Sequence, residues 1–164
     1  MGNKKVVIFL LLIFLVSCAP VYWELKKSLR EPGEKLLVHP DKVWQEYSCA
    51  QKRRPFAQIV KYEILPPELY PGEELNQHFE YVFCPARPAQ VLAGTLYRRI
   101  YFKGKIIFED KTPNFELKPG KWAVDAFIRV PPEAKAGVYF LEVLFKAPGL
   151  TLKEGHNFVV KAKQ

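Results

Sequence analysis

Serine is almost missing from this chain. Ser17, Ser28 and Ser48 are the only ones, and none stands in a Gly-x-Ser-x-Gly setting. A nucleophilic serine has to be aimed from a tight turn and activated by a base, so that class of hydrolase is not signalled. Histidine is equally thin. His39, His78 and His156 are isolated from one another, with no His-x3-His and no Cys-x2-Cys spacing, which removes the usual signature of a structural zinc. No glycine-rich phosphate loop occurs. The adjacent acids Glu73-Glu74 and Glu109-Asp110 fall at expected turns. Glycoside hydrolysis needs its two carboxyl groups about 5–9 Å apart across a cleft, not side by side. His78 and Glu80 share one strand face, an arrangement more typical of a solvated sheet surface than of an acid–base pair or metal site. These gaps point away from an enzyme and call for no cofactor and no metal.

Long apolar runs are missing too. Val6 to Val16 is unbroken but spans only 11 residues, and a helix that crosses a bilayer needs about 20. The run follows Met1-Gly2-Asn3-Lys4-Lys5 and ends in Leu15-Val16-Ser17-Cys18. A basic start, a short apolar stretch and small residues at its end describe a secretory leader. Leu-x-small-Cys in that place resembles the lipobox of bacterial lipoproteins. The resemblance implies that residues 1–17 are removed and that Cys18 carries a diacylglycerol and usually an acylated amino group. One acyl chain binds membranes marginally, whereas two or three hold stably. Ala19 after the cysteine leans towards the outer membrane, facing the periplasm, in a cell with two membranes.

The chain holds three cysteines, an awkward number for an exported protein. With Cys18 acylated, Cys49 and Cys84 remain and export favours their pairing over two buried thiols. Formal charge is +8, from 25 Lys and Arg against 17 Asp and Glu. It falls by the leader's two lysines on cleavage and stays basic. Such a surface favours anionic partners, and export excludes nucleic acid among them. Two basic clusters stand out, Lys52-Arg53-Arg54 and Arg98-Arg99, as a candidate anion-facing patch.

From residue 56 onward the hydrophobic pattern has period two, broken by Pro-Gly pairs at 71–72, 119–120 and 148–149 and by Lys103-Gly104. Proline presets φ and glycine supplies positive φ, so these are turns. Seven strands are expected between them, at 56–65, 75–84, 91–102, 105–110, 122–130, 138–146 and 156–161. Their expected inward residues include Ile59, Tyr62 and Ile64, then Leu75, Phe79, Tyr81 and Phe83. Leu92, Leu96, Ile100 and Phe102 follow, then Trp122, Val124, Ala126, Ile128 and Val130, then Tyr139, Leu141, Val143 and Phe145. Tyr97, Tyr101, Phe127 and Phe140 point outward. Upstream, Asp41 is a candidate N-cap for a short helix over 42–52 that presents Val43, Trp44, Tyr47 and Ala50 and stops before Pro55. Val21, Tyr22, Trp23, Leu25 and Leu29 either pack on the body or meet the membrane surface.

Short strands at such regular spacing predict an antiparallel sandwich. "LYPGEEL" before the second strand and "VPPEAKAGVYFLEV" near the end give residues 56–162 a resemblance to immunoglobulin-like and fibronectin-III-like exported domains. The expected division is a leader at 1–17, an N-terminal anchor and short helical segment at 18–55, and a mainly β, immunoglobulin-like sandwich at 56–164. A bridge from Cys49 to Cys84 fastens the helix to the sandwich. The expected role is a lipid-anchored, non-catalytic binding or assembly module of the cell envelope. It meets the membrane through Cys18 and an envelope protein or anionic polymer elsewhere. An envelope glycan-acting enzyme and a small-ligand or metal carrier are the alternatives.

Overall fold

A computed structural model describes residues 19–53, 55–87 and 89–162. In chain order the elements are α1 (Ala19–Ser28), β1 (Gly33–Val38), α2 (Pro40–Glu46), a single 3₁₀ turn (Cys49–Gln51), β2 (Phe56–Leu65), β3 (Glu68–Leu69), β4 (Glu74–Cys84), β5 (Leu92–Phe102), β6 (Lys105–Leu117), β7 (Gly120–Arg129), β8 (Gly137–Ala147) and β9 (Leu150–Val160). The strands form a sandwich of two sheets, one of four strands in the order β1-β7-β4-β2 and one of five in the order β3-β9-β8-β5-β6.

Alternation places the core. Leu75, Phe79, Tyr81 and Phe83 of β4 point inward and meet Leu96 and Ile100 of β5 and Tyr139, Leu141, Val143 and Phe145 of β8. Side chains of this kind each gain about 1.5–3 kcal/mol from burial. In β2 the inward set is Ile59, Tyr62 and Ile64, a spacing that strict alternation forbids. A register shift between Ile59 and Lys61 supplies the extra residue and returns Tyr62 to the inner face. The β5–β6 connection is a two-residue turn in which Lys103 and Gly104 both have positive φ, 49° and 77°. That conformation matches the twist of a hairpin, and the flanking residues Phe102 and Lys105 pair.

The topology is immunoglobulin-like. β9-β8-β5-β6 runs in the order of the G-F-C-C′ sheet, and β2-β4-β7 in that of the A-B-E strands. One strand differs. The place beside the E strand, normally filled by a strand that precedes it in sequence, is taken by β1 from the N-terminal segment. Gly33 pairs with Asp125 and Leu36 with Trp122 in the β1–β7 ladder. The sandwich therefore reaches back to Gly33, upstream of the boundary at residue 56, because β1 completes an edge that the chain between β6 and β7 leaves open.

The helix over 42–52 is shorter than expected. α2 starts at Pro40, after the N-cap His39, and ends at Glu46. Proline suits a first helical turn, whose N–H groups have no partner in the helix. Ser48 then adopts the left-handed conformation at φ 48° and ψ 49°, which ends the helix and leads into the 3₁₀ turn. Cys49 lies there, bonded to Cys84 at the end of β4, with the two Cα atoms 5.6 Å apart. Val43, Cys49, Val82 and Cys84 make a second small core, on the outer side of the four-stranded sheet, with Trp44, Tyr47, Phe56 and Val60 against it.

Replacing both bridged cysteines, Cys49→Ala with Cys84→Ala, is expected to lower stability by roughly 3–4 kcal/mol, chiefly through the freed unfolded chain. Urea unfolding followed by circular dichroism checks this: the midpoint falls, and an unchanged midpoint refutes a stabilising bridge.

Candidate functional site

β4 is buried along both of its faces. The inner face joins the core, and the outer face is covered by the N-terminal segment in two distinct halves. Val82 and Cys84 lie under α2 at one end, while Asn76, His78 and Glu80 lie at the other end with only 0, 6 and 9 % exposure. Buried polar groups of this kind require partners.

The partners come from the neighbouring strands and from α1. His78 stands between Glu63 of β2 and Asp125 of β7 in the ladder. Its Nδ1 lies 3.0 Å from an Asp125 oxygen and its Nε2 3.3 Å from Glu80. Lys61 and Lys121 donate to Glu80 at 3.1 and 2.7 Å. From above, Arg30 donates to Asn76 at 2.6 Å and pairs with Glu63, which Lys26 also reaches. Asn76 in turn donates to Asp125 at 3.0 Å. Burial alone would raise the Glu80 carboxyl. Hydrogen bonds from Lys121, Lys61 and His78 outweigh it and bring the group down to about 2. The Glu63 and Asp125 carboxyls are lowered by the same balance.

Both ring nitrogens of His78 thus lie within hydrogen-bond distance of carboxylates. Among the described residues no group of three or more His, Cys, Asp or Glu is arranged to hold a metal. Ser28, at the end of α1, donates its hydroxyl to the carbonyl of Leu25 at 2.8 Å. This half of the sheet is a clamp between α1 and the sandwich.

Arg98 and Arg99, two of the basic residues of the expected patch, leave β5 on opposite faces. Arg98 points into the sandwich, where its Nε donates to Gln77 at 3.0 Å. Gln77 donates to the Tyr62 hydroxyl at 2.7 Å, and that hydroxyl donates to the Leu141 carbonyl at 2.8 Å. Burial lowers the Arg98 guanidinium, while Asp110, 3.3 Å away, acts against this. The same burial pushes the Tyr62 phenol up. Arg99 leaves β5 on the opposite face and pairs with Glu109 at 2.6 Å and Glu142 at 3.8 Å. Lys52 and Arg53 are exposed beyond the 3₁₀ turn. Alternation along β5 forces the split, since adjacent residues face opposite ways. Cys18 and Arg54 lie outside the described residues.

A cavity of about 620 Å³ opens beside the disulfide, between α2 and the β6–β7 turn. Trp44, Trp122, Phe83, Pro85 and Pro119 supply apolar walls, and His39, Asp41 and Lys118 supply the polar lining. Its size and its apolar lining with few polar groups are those of a ligand site. Trp122 is held by a hydrogen bond from its indole N–H to the Pro119 carbonyl at 2.9 Å. The Lys118 ammonium stands 5.0 Å from the Trp122 ring centroid and 2.8 Å from Glu34. Gly120, at φ 107°, allows β1 to approach, since a Cβ there would stand 2.8 Å from the Val38 carbonyl oxygen. The residues of this cleft were visible only singly in the sequence. His39-Pro40 ahead of Trp44, and Pro119-Gly120 ahead of Trp122, carry a shared signal of proline near tryptophan.

No family model matches the chain, and no curated protein does. Solved structures align with parts of the chain. An alkylpurine DNA glycosylase, AlkC, from Pseudomonas fluorescens aligns with TM-score 0.46 and 18 % identity over 65 % of this chain and 30 % of that one. Spo0M, a sporulation control protein from Bacillus subtilis, gives 0.44 and 10 % over 65 % of this chain and 50 % of its own. A family 123 glycoside hydrolase from Clostridium perfringens gives 0.43 and 14 % over 59 % and 22 %. The chain thus spans half or less of each of these proteins.

A carboxyl held below its unfolded value stabilises the fold at pH above that value and loses the contribution as pH falls towards the folded one. The stabilising contribution of Glu80, at about 2 against an ordinary 4.5, is therefore lost as pH falls from about 4.5 to about 2. Glu80→Gln is expected to flatten that part of the curve of melting temperature against pH. Parallel curves for the variant and the parent would refute the role assigned to Glu80 and its partners Lys61, Lys121 and His78.

Proposed function

We propose that this protein is a lipid-anchored, non-catalytic binding module of the cell envelope, held by acyl groups on Cys18 and taking its ligand in the Trp44–Trp122 cleft. The cleft carries the binding part of the reading. It is apolar, it is built where the disulfide ties α2 to the sandwich, and its Trp122 wall is held by the Pro119 carbonyl. Its chemistry suits an inserted aliphatic or aromatic side chain from an envelope protein. Aromatic side chains bury large areas and dominate contacts of this type.

A glycan-cleaving enzyme fits the cleft less well. Asp41 is the one carboxylate among its described lining residues, and glycoside hydrolysis by two acids needs a second across the cleft. The anchor rests on Leu15-Val16-Ser17-Cys18 at the end of a short apolar run. No helix among the described residues is long and apolar enough to cross a membrane.

Each half of the reading has its own experiment. Mass measurement of the protein from membranes is expected to find a chain that begins at Cys18 with acyl groups attached. A chain that still carries residues 1–17 with a free thiol at Cys18 overturns the anchor. For the cleft, a photoreactive residue in place of Asp41, at the rim, is expected to crosslink an envelope protein in cells. Adding Trp44→Ala should cut that adduct by about tenfold, the loss of roughly 1.4 kcal/mol or more that removing a central aromatic contact produces. An adduct unaffected by Trp44→Ala places the contact elsewhere.

A further inference from the structure

Helix α1 is amphipathic in the reverse sense. Val21, Tyr22, Leu25 and Leu29 are 68, 54, 60 and 77 % exposed. At about 100° of rotation per residue they fall within an arc of about 100°, so they form one stripe. Leu29 extends the stripe just past the helix end at Ser28. The basic side faces the sandwich. Lys26 and Arg30 pair with Glu63, and Lys27 donates to the Glu74 carbonyl at 2.7 Å. Arg30 also reaches Asn76 at 2.6 Å and lies 3.9 Å from Asp125. A helix on a water-soluble body usually buries its apolar side and turns charge outward. Here the charges hold the body, and the apolar side is left uncovered. Single exposed apolar residues are ordinary, but a contiguous stripe marks a contact surface.

The place of α1 in the chain says what covers it. The described helix, Ala19–Ser28, takes up the chain at the residue after Cys18. One residue spans about 3.8 Å, so acyl chains on Cys18 that enter a bilayer keep the first turn of α1 at the headgroups. The ten residues of α1 add about 15 Å of length, too little to cross the membrane and enough to lie along it. Tyr22 and Trp23 form an edge-to-face pair with centroids 5.0 Å apart, aromatics of the kind that collect at the membrane–water boundary.

We infer that α1 is an interfacial helix, lying flat with Val21, Tyr22, Leu25 and Leu29 in the lipid boundary, and that its ion pairs fix the attitude of the sandwich to the membrane. The inference rests on the acylation of Cys18 proposed above. It adds that the body is not a swinging load on a flexible tether: the clamp over Glu63, Asn76 and Asp125 makes anchor, helix and sheet one unit. The clamp explains the inverted polarity of α1, because lipid competes for the apolar side and the sheet takes the basic one.

Lipid photolabelling tests this on the mature acylated protein, reconstituted in phosphatidylethanolamine–phosphatidylglycerol vesicles that contain a diazirine-bearing phospholipid. Ile106, Ile107 and Phe108 of β6, 51, 54 and 43 % exposed, provide an internal control of equal apolar character far along the chain. Adducts are expected on the peptide that holds Tyr22 and Leu25, in excess over β6. Leu25→Glu with Leu29→Glu should reduce them by about tenfold while Cys18 still retains the protein on the vesicles. Intact mass reads the acyl groups in the same sample. An unmodified Cys18 removes the anchor and this inference together. An acylated Cys18 with adducts equal on α1 and β6, or none on α1, or unchanged by the double substitution, overturns the inference alone. Circular dichroism and the melting temperature of the double variant show that it is folded, as the substituted side chains face away from the sandwich.

Discussion

A central strand buried on both faces constrains everything built around it. β4 gives Leu75, Phe79, Tyr81 and Phe83 to the core between the sheets, and Asn76, His78, Glu80, Val82 and Cys84 to the other side. An exposed outer face would leave Val82 in water, and an apolar cover would strand three polar side chains without partners. The N-terminal segment answers both demands along one strand. α2 and the disulfide cover the apolar end, and Lys26 of α1 with Arg30 just after it covers the polar end.

The two covers differ in their physics. Apolar contact between α2 and Val82 is non-directional and tolerates small shifts, and the covalent link to Cys84 fixes its position. Charge pairs under α1 are directional. Paired buried charges add little net stability against an apolar alternative, yet losing one partner is costly, so they act mainly on geometry. Arg30, two residues past the end of α1, reaches Glu63, Asn76 and Asp125 from one guanidinium, and so fixes where the helix leaves the sheet. A clamp of this kind suits a segment whose other side meets something besides the protein. The cleft at Trp44 and Trp122 depends on the first cover, since α2 supplies one wall and the sandwich the other.

Much of the sandwich was legible in advance. The bounds of β2 match the run 56–65, and the ends of β4, β5, β7 and β8 lie within two residues of those expected. Alternation named the inward residues of β4 and β8 because side chains in a strand answer only to period two. The pairing of Cys49 with Cys84 was legible from the odd cysteine count. β1 was not. Gly33–Val38 shows no alternation of burial and owes its strand state to the open edge of β7. Helix α1 was equally hidden, since its apolar residues face away from the body. Arg98 and Arg99 read as one basic cluster, while the pleat sends one into the core and the other to Glu109 and Glu142.

The sequence by itself determined the sandwich, the inner faces of β4 and β8, the β5–β6 turn and the bridge, because each depends on patterns that repeat within a few residues or on the chemistry of one residue type; it placed Glu109-Asp110 at a turn, where β6 instead runs on to Leu117. Tertiary structure alone decided which strands are neighbours, that β1 fills the missing edge, that His78 lies between two carboxylates, and that Trp44 and Trp122 share a cleft. Those facts join residues distant in the chain. Only the closing of one sheet over the other, and of the N-terminal segment over β4, brings their side chains within reach.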